Sequence, residues 1–389
     1  MHNRIRWAVV ALSAALSTAL SAALVAGCTR DGDPGSTALP ASRLPSGATP
    51  SGGDQAAARA AALVATLTDE DLVGQVLMPY AYGNDATAVT AGSQAANRRY
   101  AGVATPAEMV TRYRLGGLIL VSWSADDPTA STNKTSNVES AAQVRKLTAG
   151  LQSAATGAGP KVPMLIGTDQ EYGTVTRIRD GVVQLPSALA LGAGHDPAGT
   201  ERAWRVAGTD LAALGVNVDF APDADVLGDR AGGAIGSRSF GSDPAAVSDQ
   251  VAAAVRGLQG AGVAATLKHF PGHGRTTDDS HAELPVLGQG ADSLSTVDLA
   301  PFRAGIAAGA GLVMSGHLDV RAVEPGLPAS FSHAVLTDLL RGQLGFGGVV
   351  VSDALNMAPA KRWPAGEAAV RALVAGNDLL LMPPDLAAA

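Results

Sequence analysis

The sequence predicts an α/β chain whose folded part is one (β/α)8 barrel of the TIM type, and three observations predict it. Eight apolar, strand-like runs recur between Gln55 and Ala389, the gaps between them leave room for a helix, and nearly every run ends in polar or glycine-rich residues. The runs are Val76 to Tyr80, Gly117 to Trp123, Pro163 to Thr168, Val216 to Phe220, Val263 to Leu267, Gly311 to Ser315, Gly348 to Val351 and Asp378 to Met382. Alanine-rich segments between them, such as Arg202 to Leu214 and Ala245 to Gln259, have helical composition. Near-continuous apolar strands alternating with helices indicate a parallel sheet, and eight units favour a closed barrel over an open doubly wound sheet. The dinucleotide-binding alternative lacks its glycine fingerprint, because Tyr80-Ala81-Tyr82-Gly83 follows the first strand.

The chain divides into residues 1–28, 29–54 and 55–389. The first part carries His2, Arg4 and Arg6, then an apolar stretch from Trp7 to Ala26, then Val25-Ala26-Gly27-Cys28. This resembles a bacterial lipoprotein signal, with Cys28 as the lipidation site. Cys28 is the only cysteine, so an intramolecular disulfide is excluded. An uncleaved membrane anchor is the alternative, since an apolar length of roughly 20 residues suffices to span a bilayer. Both readings put the domain outside the cytoplasm, held at the membrane. The second part is rich in Gly, Pro, Ser and Thr without apolar periodicity, as a flexible tether would be. The third is long enough for one large barrel as a single catalytic domain, and a monomer is expected.

Net charge is −7 and the lysines are scattered, which gives nucleic-acid binding no electrostatic support. The 47% hydrophobic content reflects alanine rather than further membrane spans. After the eighth run only Pro383 to Ala389 remain, too few for the helix that should follow. The expectation is a barrel missing its last helix, with the eighth strand's outer face exposed or covered by another segment.

The densest chemistry lies in KHFPGHGRTTDDSH, Lys268 to His281. Pro271 and Gly272 cannot continue a strand, so Lys268 and His269 fall at the C-terminal end of the fifth, where active-site loops of such barrels begin. Asp279 and His281 are two apart, and an extended backbone would point both the same way, so that the carboxylate orients the imidazole. His269 and His273 have the spacing of helical metal ligands, but Phe270-Pro271-Gly272 breaks any helix between them, and no metal or other cofactor is expected. Asp169, Glu171 and Arg177 follow the third strand; Asp223, Asp225 and then Arg238 follow the fourth. His317 follows the sixth and reads as a packed histidine. Asp353 ends the seventh, where a carboxylate can attack a sugar's anomeric carbon or, alternatively, cap the next helix.

KHFPGHG followed by DSH, with DQE upstream and SDAL downstream in that order, resembles glycoside hydrolase family 3, in its bacterial β-N-acetylglucosaminidase branch. The resemblance runs from about Leu63 to the end. It implies a carbohydrate substrate, Asp353 as nucleophile, His281 polarised by Asp279 as general acid/base, and Asp169, Arg177, Arg238, Lys268 and His269 as ligands of the terminal sugar's hydroxyls. Tyr172 and Thr174 stand where the family often has glycine and arginine, and Ala354 where it often has aspartate. The implied function is a retaining exo-β-N-acetylglucosaminidase acting on cell-wall muropeptides or related oligosaccharides. A phosphorylase or β-glucosidase on the same residues, and a non-catalytic sugar-binding lipoprotein, are the alternatives.

Overall fold

A computed structural model of the chain describes residues 52–122, 135–228 and 233–389. Cys28, the signal segment, Trp123 and nearly all of the expected tether lie outside the described residues. The tether's expected end at Asp54 is moved back slightly, because helix α1, Gly52–Val64, already includes residues 52–54. The alanine-rich run that follows supplies the helix propensity that the two glycines lack.

Every predicted strand inside the described residues is present. They are β1 Leu77–Met78, β2 Gly117–Leu120, β3 Leu165–Thr168, β4 Val218–Asp219, β5 Ala264–Phe270, β6 Leu312–Ser315, β7 Val349–Ser352 and β8 Leu380–Leu381. Strands β2 to β7 form one parallel sheet in sequence order. Closure comes from β8, which pairs parallel with β1 through Leu77 and Leu380 and bridges to β7 between Val351 and Leu379. The Ile119 amide donates to Pro79 O at 3.0 Å, joining β1 to β2. The strand backbones are buried on both sides, which is why their sequences run apolar rather than alternating.

The covering helices begin by a repeated local device. Helix α2 is Asp69–Gln75, capped by Thr68. Helix α3, Pro106–Tyr113, starts with Thr105 in a capping box with Glu108; α4 is Ala141–Gly157, capped by Ser140. Helices α5, Pro197–Ala213, and α6, Pro244–Gly260, start with Asp196 and Asp243 as caps and a proline at the first turn. The cap side chain satisfies an orphan amide and the proline loses nothing there, so each helix starts where the chain leaves the barrel. Helix α7, Ala300–Ala307, packs Phe302 edge-to-face on Phe270 of β5 at 5.2 Å. The connection from β6 contains a π-helical stretch, Ala334–Gln343, and α8 is Ala365–Ala375.

After β8 the chain makes turns rather than a helix, yet Leu379, Leu380 and Leu381 are buried. These leucines belong to the main barrel core, and α8 packs on β8. Val64, Leu67, Leu72 and Val76 form a separate apolar cluster with Leu373 of α8, while α2 lies against α3. The amino-terminal helices thus lie between α8, which follows β7, and α3, which follows β1. The connection after β1, residues 84–104, folds against the barrel mouth: Tyr100 stacks on Tyr80 at 4.6 Å and its hydroxyl donates to Pro383 O.

Candidate active site

The third strand does not stop at its polar residues but turns into a short antiparallel hairpin, Gln170–Tyr172 with Val175–Thr176. Gln170 builds it: its side-chain oxygen accepts from the Arg177 and Ile178 backbone amides, and its backbone N–H donates to Asp219 Oδ1. This folds Arg177 back to within 3.3 Å of Asp169. Tyr172, where the family often has glycine, sits at φ +68°, a left-handed conformation that costs a non-glycine residue on the order of 1–2 kcal/mol. Its ring packs edge-to-face on Trp204 at 5.5 Å, burying area that offsets that strain.

Four cations and four acids interlock on the β3 to β5 side. Lys268 Nζ lies 3.1 Å from Asp169 and 2.5 Å from Glu171. Arg238 donates to both oxygens of Glu171 at 2.6 and 2.9 Å and lies 3.3 Å from Asp223. His269 Nδ1 lies 2.8 Å from Asp225 Oδ2. Burial opposes the charges of Glu171, Asp223, Arg238, Lys268 and His269, and their partners oppose burial in turn. Arg238 and Lys268 hold the Glu171 carboxyl well below the usual range; Glu171 and Asp169 in turn raise Lys268. For Asp223, burial wins and pushes the carboxyl up to about 7. Asp223, Asp225 and His269 bring ligand-type atoms within 4.8 Å of one another. Arg238 lies beside Asp223 and His269 already pairs with Asp225, while neither Asp223 oxygen has a hydrogen-bond partner among the described residues.

Opposite them, Asp353 directly follows β7. Its amide donates to Ser315 O of β6 at 3.0 Å, and the Ala354 amide donates to its Oδ1 at 2.7 Å. His317 is fully buried behind this turn. Its Nε2 lies 3.1 Å from Ala354 O, and its Nδ1 2.6 Å from the Ser330 hydroxyl, so the imidazole holds the carbonyl of the residue whose amide holds the carboxylate. Burial alone would raise the Asp353 pKa, but His317, His269 and His281 outweigh it and hold the group below the ordinary carboxylate value.

The motif loop after β5 rests on two glycines. Gly272 has φ +126°, which L side chains rarely adopt, and a Cβ on Gly274 would fall 2.3 Å from Val226 O. His281 Nδ1 lies 2.6 Å from Asp279 Oδ1, and this hydrogen bond is the first cause of an Asp279 pKa lowered to about 2. The expected pair is there, but the extended backbone is not. The Asp279 carboxylate also accepts from the His281 amide at 2.9 Å, and Asp279 O accepts from the amides of Ala282 and Glu283. A carboxylate two residues back can close a turn on itself, and that competes well with an isolated extended segment.

One cavity is lined by Asp353, His281, Asp169, Arg177, Arg238, Lys268 and His269 together. Asp279 touches it only through His281. Sequence reasoning did not assign Glu171, Asp223, Asp225 or His273, although the first three stand at the ends of strands three and four and their position was the available signal. Chemically the cavity offers an ionised carboxylate, a carboxylate-held imidazole, and a bank of charged donors and acceptors suited to vicinal hydroxyls.

Residues 70–388 match the glycosyl hydrolase family 3 N-terminal domain. The chain belongs to this family. A β-hexosaminidase A from Pseudoalteromonas piscicida is 36% identical over 295 residues, 71% of this chain and 47% of that protein. A β-hexosaminidase from Stenotrophomonas maltophilia (strain R551-3) is 42% identical over 254 residues, 63% of this chain and 73% of that one. The solved family 3 β-N-acetylglucosaminidase from Paenibacillus sp. str. FPU-7 superposes with a TM-score of 0.72 at 39% identity, covering 82% of this chain and 55% of that one. The chain thus spans about half the length of the Pseudoalteromonas and Paenibacillus relatives. The barrel is the family's, and the Tyr172 and Ala354 departures sit within it.

Proposed function

We propose that the chain is a retaining exo-β-N-acetylglucosaminidase that removes terminal β-linked N-acetylglucosamine from cell-wall muropeptides or related oligosaccharides. The observation that carries this is the shared cavity: an ionised Asp353 and the Asp279–His281 pair face the same small space as the hydroxyl-binding bank. Asp353 Oδ attacks the anomeric carbon while His281 gives its proton to the departing oxygen, leaving a glycosyl ester. His281 then takes a proton from water as that water attacks the same carbon, which frees Asp353 and returns the starting configuration. The hexosaminidase and β-N-acetylglucosaminidase names of the relatives support the sugar assignment.

Purified protein given a chromogenic β-N-acetylglucosaminide and its β-glucoside counterpart tests this. Preference for the first is expected; preference for the glucoside favours a β-glucosidase, and activity on neither favours a sugar-binding protein. A phosphorylase is the one other reaction the site favours, because a histidine acid/base repels anionic phosphate less than a carboxylate would. Sugar 1-phosphate formed when inorganic phosphate is added would establish it.

The lipoprotein reading of Cys28 belongs to the same proposal, placing the enzyme at the outer side of a membrane. Among the described residues no helix is long and apolar enough to span one. Cys28→Ala is expected to leave the precursor unprocessed by the lipoprotein pathway. A variant matured and membrane-bound like the parent contradicts the assignment.

A further inference from the structure

The loop that carries Asp279 and His281 is organised around a residue with no place in the scheme above. His273 is buried, and it joins the connection after β4 to two parts of its own loop. At the root, its amide donates to Asp225 Oδ1 at 2.6 Å. Midway, Nδ1 lies 2.6 Å from Thr276 Oγ1, and at the tip Nε2 lies 3.1 Å from Ser280 Oγ. Ser280 is itself buried and stands between the two members of the pair. The ring meets His269 edge-to-face at 5.7 Å, which ties the loop to the hydroxyl-binding bank.

A neutral imidazole carries one ring proton, so one of its nitrogens donates to a hydroxyl and the other accepts from one, and either tautomer keeps both the Thr276 and the Ser280 contact. Burial and the neighbouring His269 lower the His273 pKa to about 4, consistent with the neutral ring this arrangement requires. The other hold on the tip is looser: the Ala358 amide reaches His281 O at 3.4 Å, and the Asp279 side chain is 44% exposed.

We propose that His273 is a positioning residue that holds the Asp279–His281 pair in place through the Ser280 hydroxyl. The inference rests on the acid/base reading of His281 and adds a cause for its placement. Removing the brace should impair proton delivery while leaving the nucleophile and the sugar contacts as they are.

Ser280→Ala deletes one hydroxyl and is the first test. On an alkyl β-N-acetylglucosaminide, whose departure needs a proton, kcat/KM should fall about tenfold. On a dinitrophenyl glycoside, whose departure does not, it should fall less than twofold. KM and Tm should stay close to the parent's. His273→Asn, which is too short to reach Ser280, should give the same split; if it does not fold, Ser280→Ala decides alone. In a His281→Ala background, adding Ser280→Ala should change neither rate, since there is no imidazole left to place. Equal losses on both substrates, or a full second loss in that background, overturn the brace. If His281→Ala itself shows no leaving-group dependence, the acid/base reading fails instead, an outcome the single variant distinguishes.

Discussion

The two groups proposed to do the chemistry stand on unlike supports. Asp353 comes one residue after β7, its amide hydrogen-bonded to β6 and its carboxylate to the next peptide, with buried His317 behind. His281 lies 11 residues beyond the end of β5, in a loop shaped by glycines and by side-chain hydrogen bonds of its own members. A nucleophile forms a bond along one fixed line, so an error of about an ångström is costly and a strand end is the right place for it. A proton donor serves a departing oxygen and then a water, and a hydrogen-bonded loop can do that. The comparison teaches that loss of the first should abolish turnover, whereas loss of the second should sort substrates.

The largest effect is therefore expected at the strand. Asp353→Ala should lower kcat by at least about 10³ with the fold intact, because the covalent route disappears. Circular dichroism with steady-state kinetics checks it, and near-normal turnover would break the contrast at its firmer end.

His281→Ala should cost roughly 10² on an alkyl disaccharide and clearly less in the glycosylation step of a nitrophenyl glycoside. On the latter the covalent intermediate should accumulate, and azide, which attacks without general-base help, should partly restore turnover. Single-turnover and steady-state kinetics with and without azide measure both. Equal losses and no rescue would move acid/base catalysis to another residue.

The smallest effect concerns the loop's root, where Arg275 donates to buried Asp298 at 3.1 Å. Burial raises Asp298 to about 7 against an unfolded value near 3.9. The folded state thus retains a proton that the unfolded state has lost, so this group's contribution to stability declines as pH rises from about 4 to about 7. Asp298→Asn cannot ionise and should narrow the fall in Tm across that range by about 2 °C or more. An unchanged pH profile of Tm would show that Arg275 keeps Asp298 charged throughout.

Much of this contrast was legible in the sequence, and the reasons are local. Strands were readable because a barrel buries both faces, so each appears as an apolar run stopped by polar residues, and Asp353 was readable as the acid at such a stop. The DSH spacing revealed the pair but not its geometry, since two residues apart fits an extended strand and a side-chain-closed turn alike. The Gln170–Thr176 hairpin was missed because it is short and polar, and its register depends on Gln170 meeting the Arg177 and Ile178 amides. Glu171, Asp223 and Asp225 matter through Arg238, Lys268 and His269, pairings between strands that no local pattern displays.

The most direct test of the division of labour is to ask where the sugar rests when the loop is disabled. His281→Ala is mixed with a nitrophenyl β-N-acetylglucosaminide, quenched within one turnover, digested and mapped by mass spectrometry. An added N-acetylhexosamine is expected on the peptide containing Asp353, at that carboxylate, diminishing when azide is present. An adduct on any other residue, or none while nitrophenol is released, would contradict it.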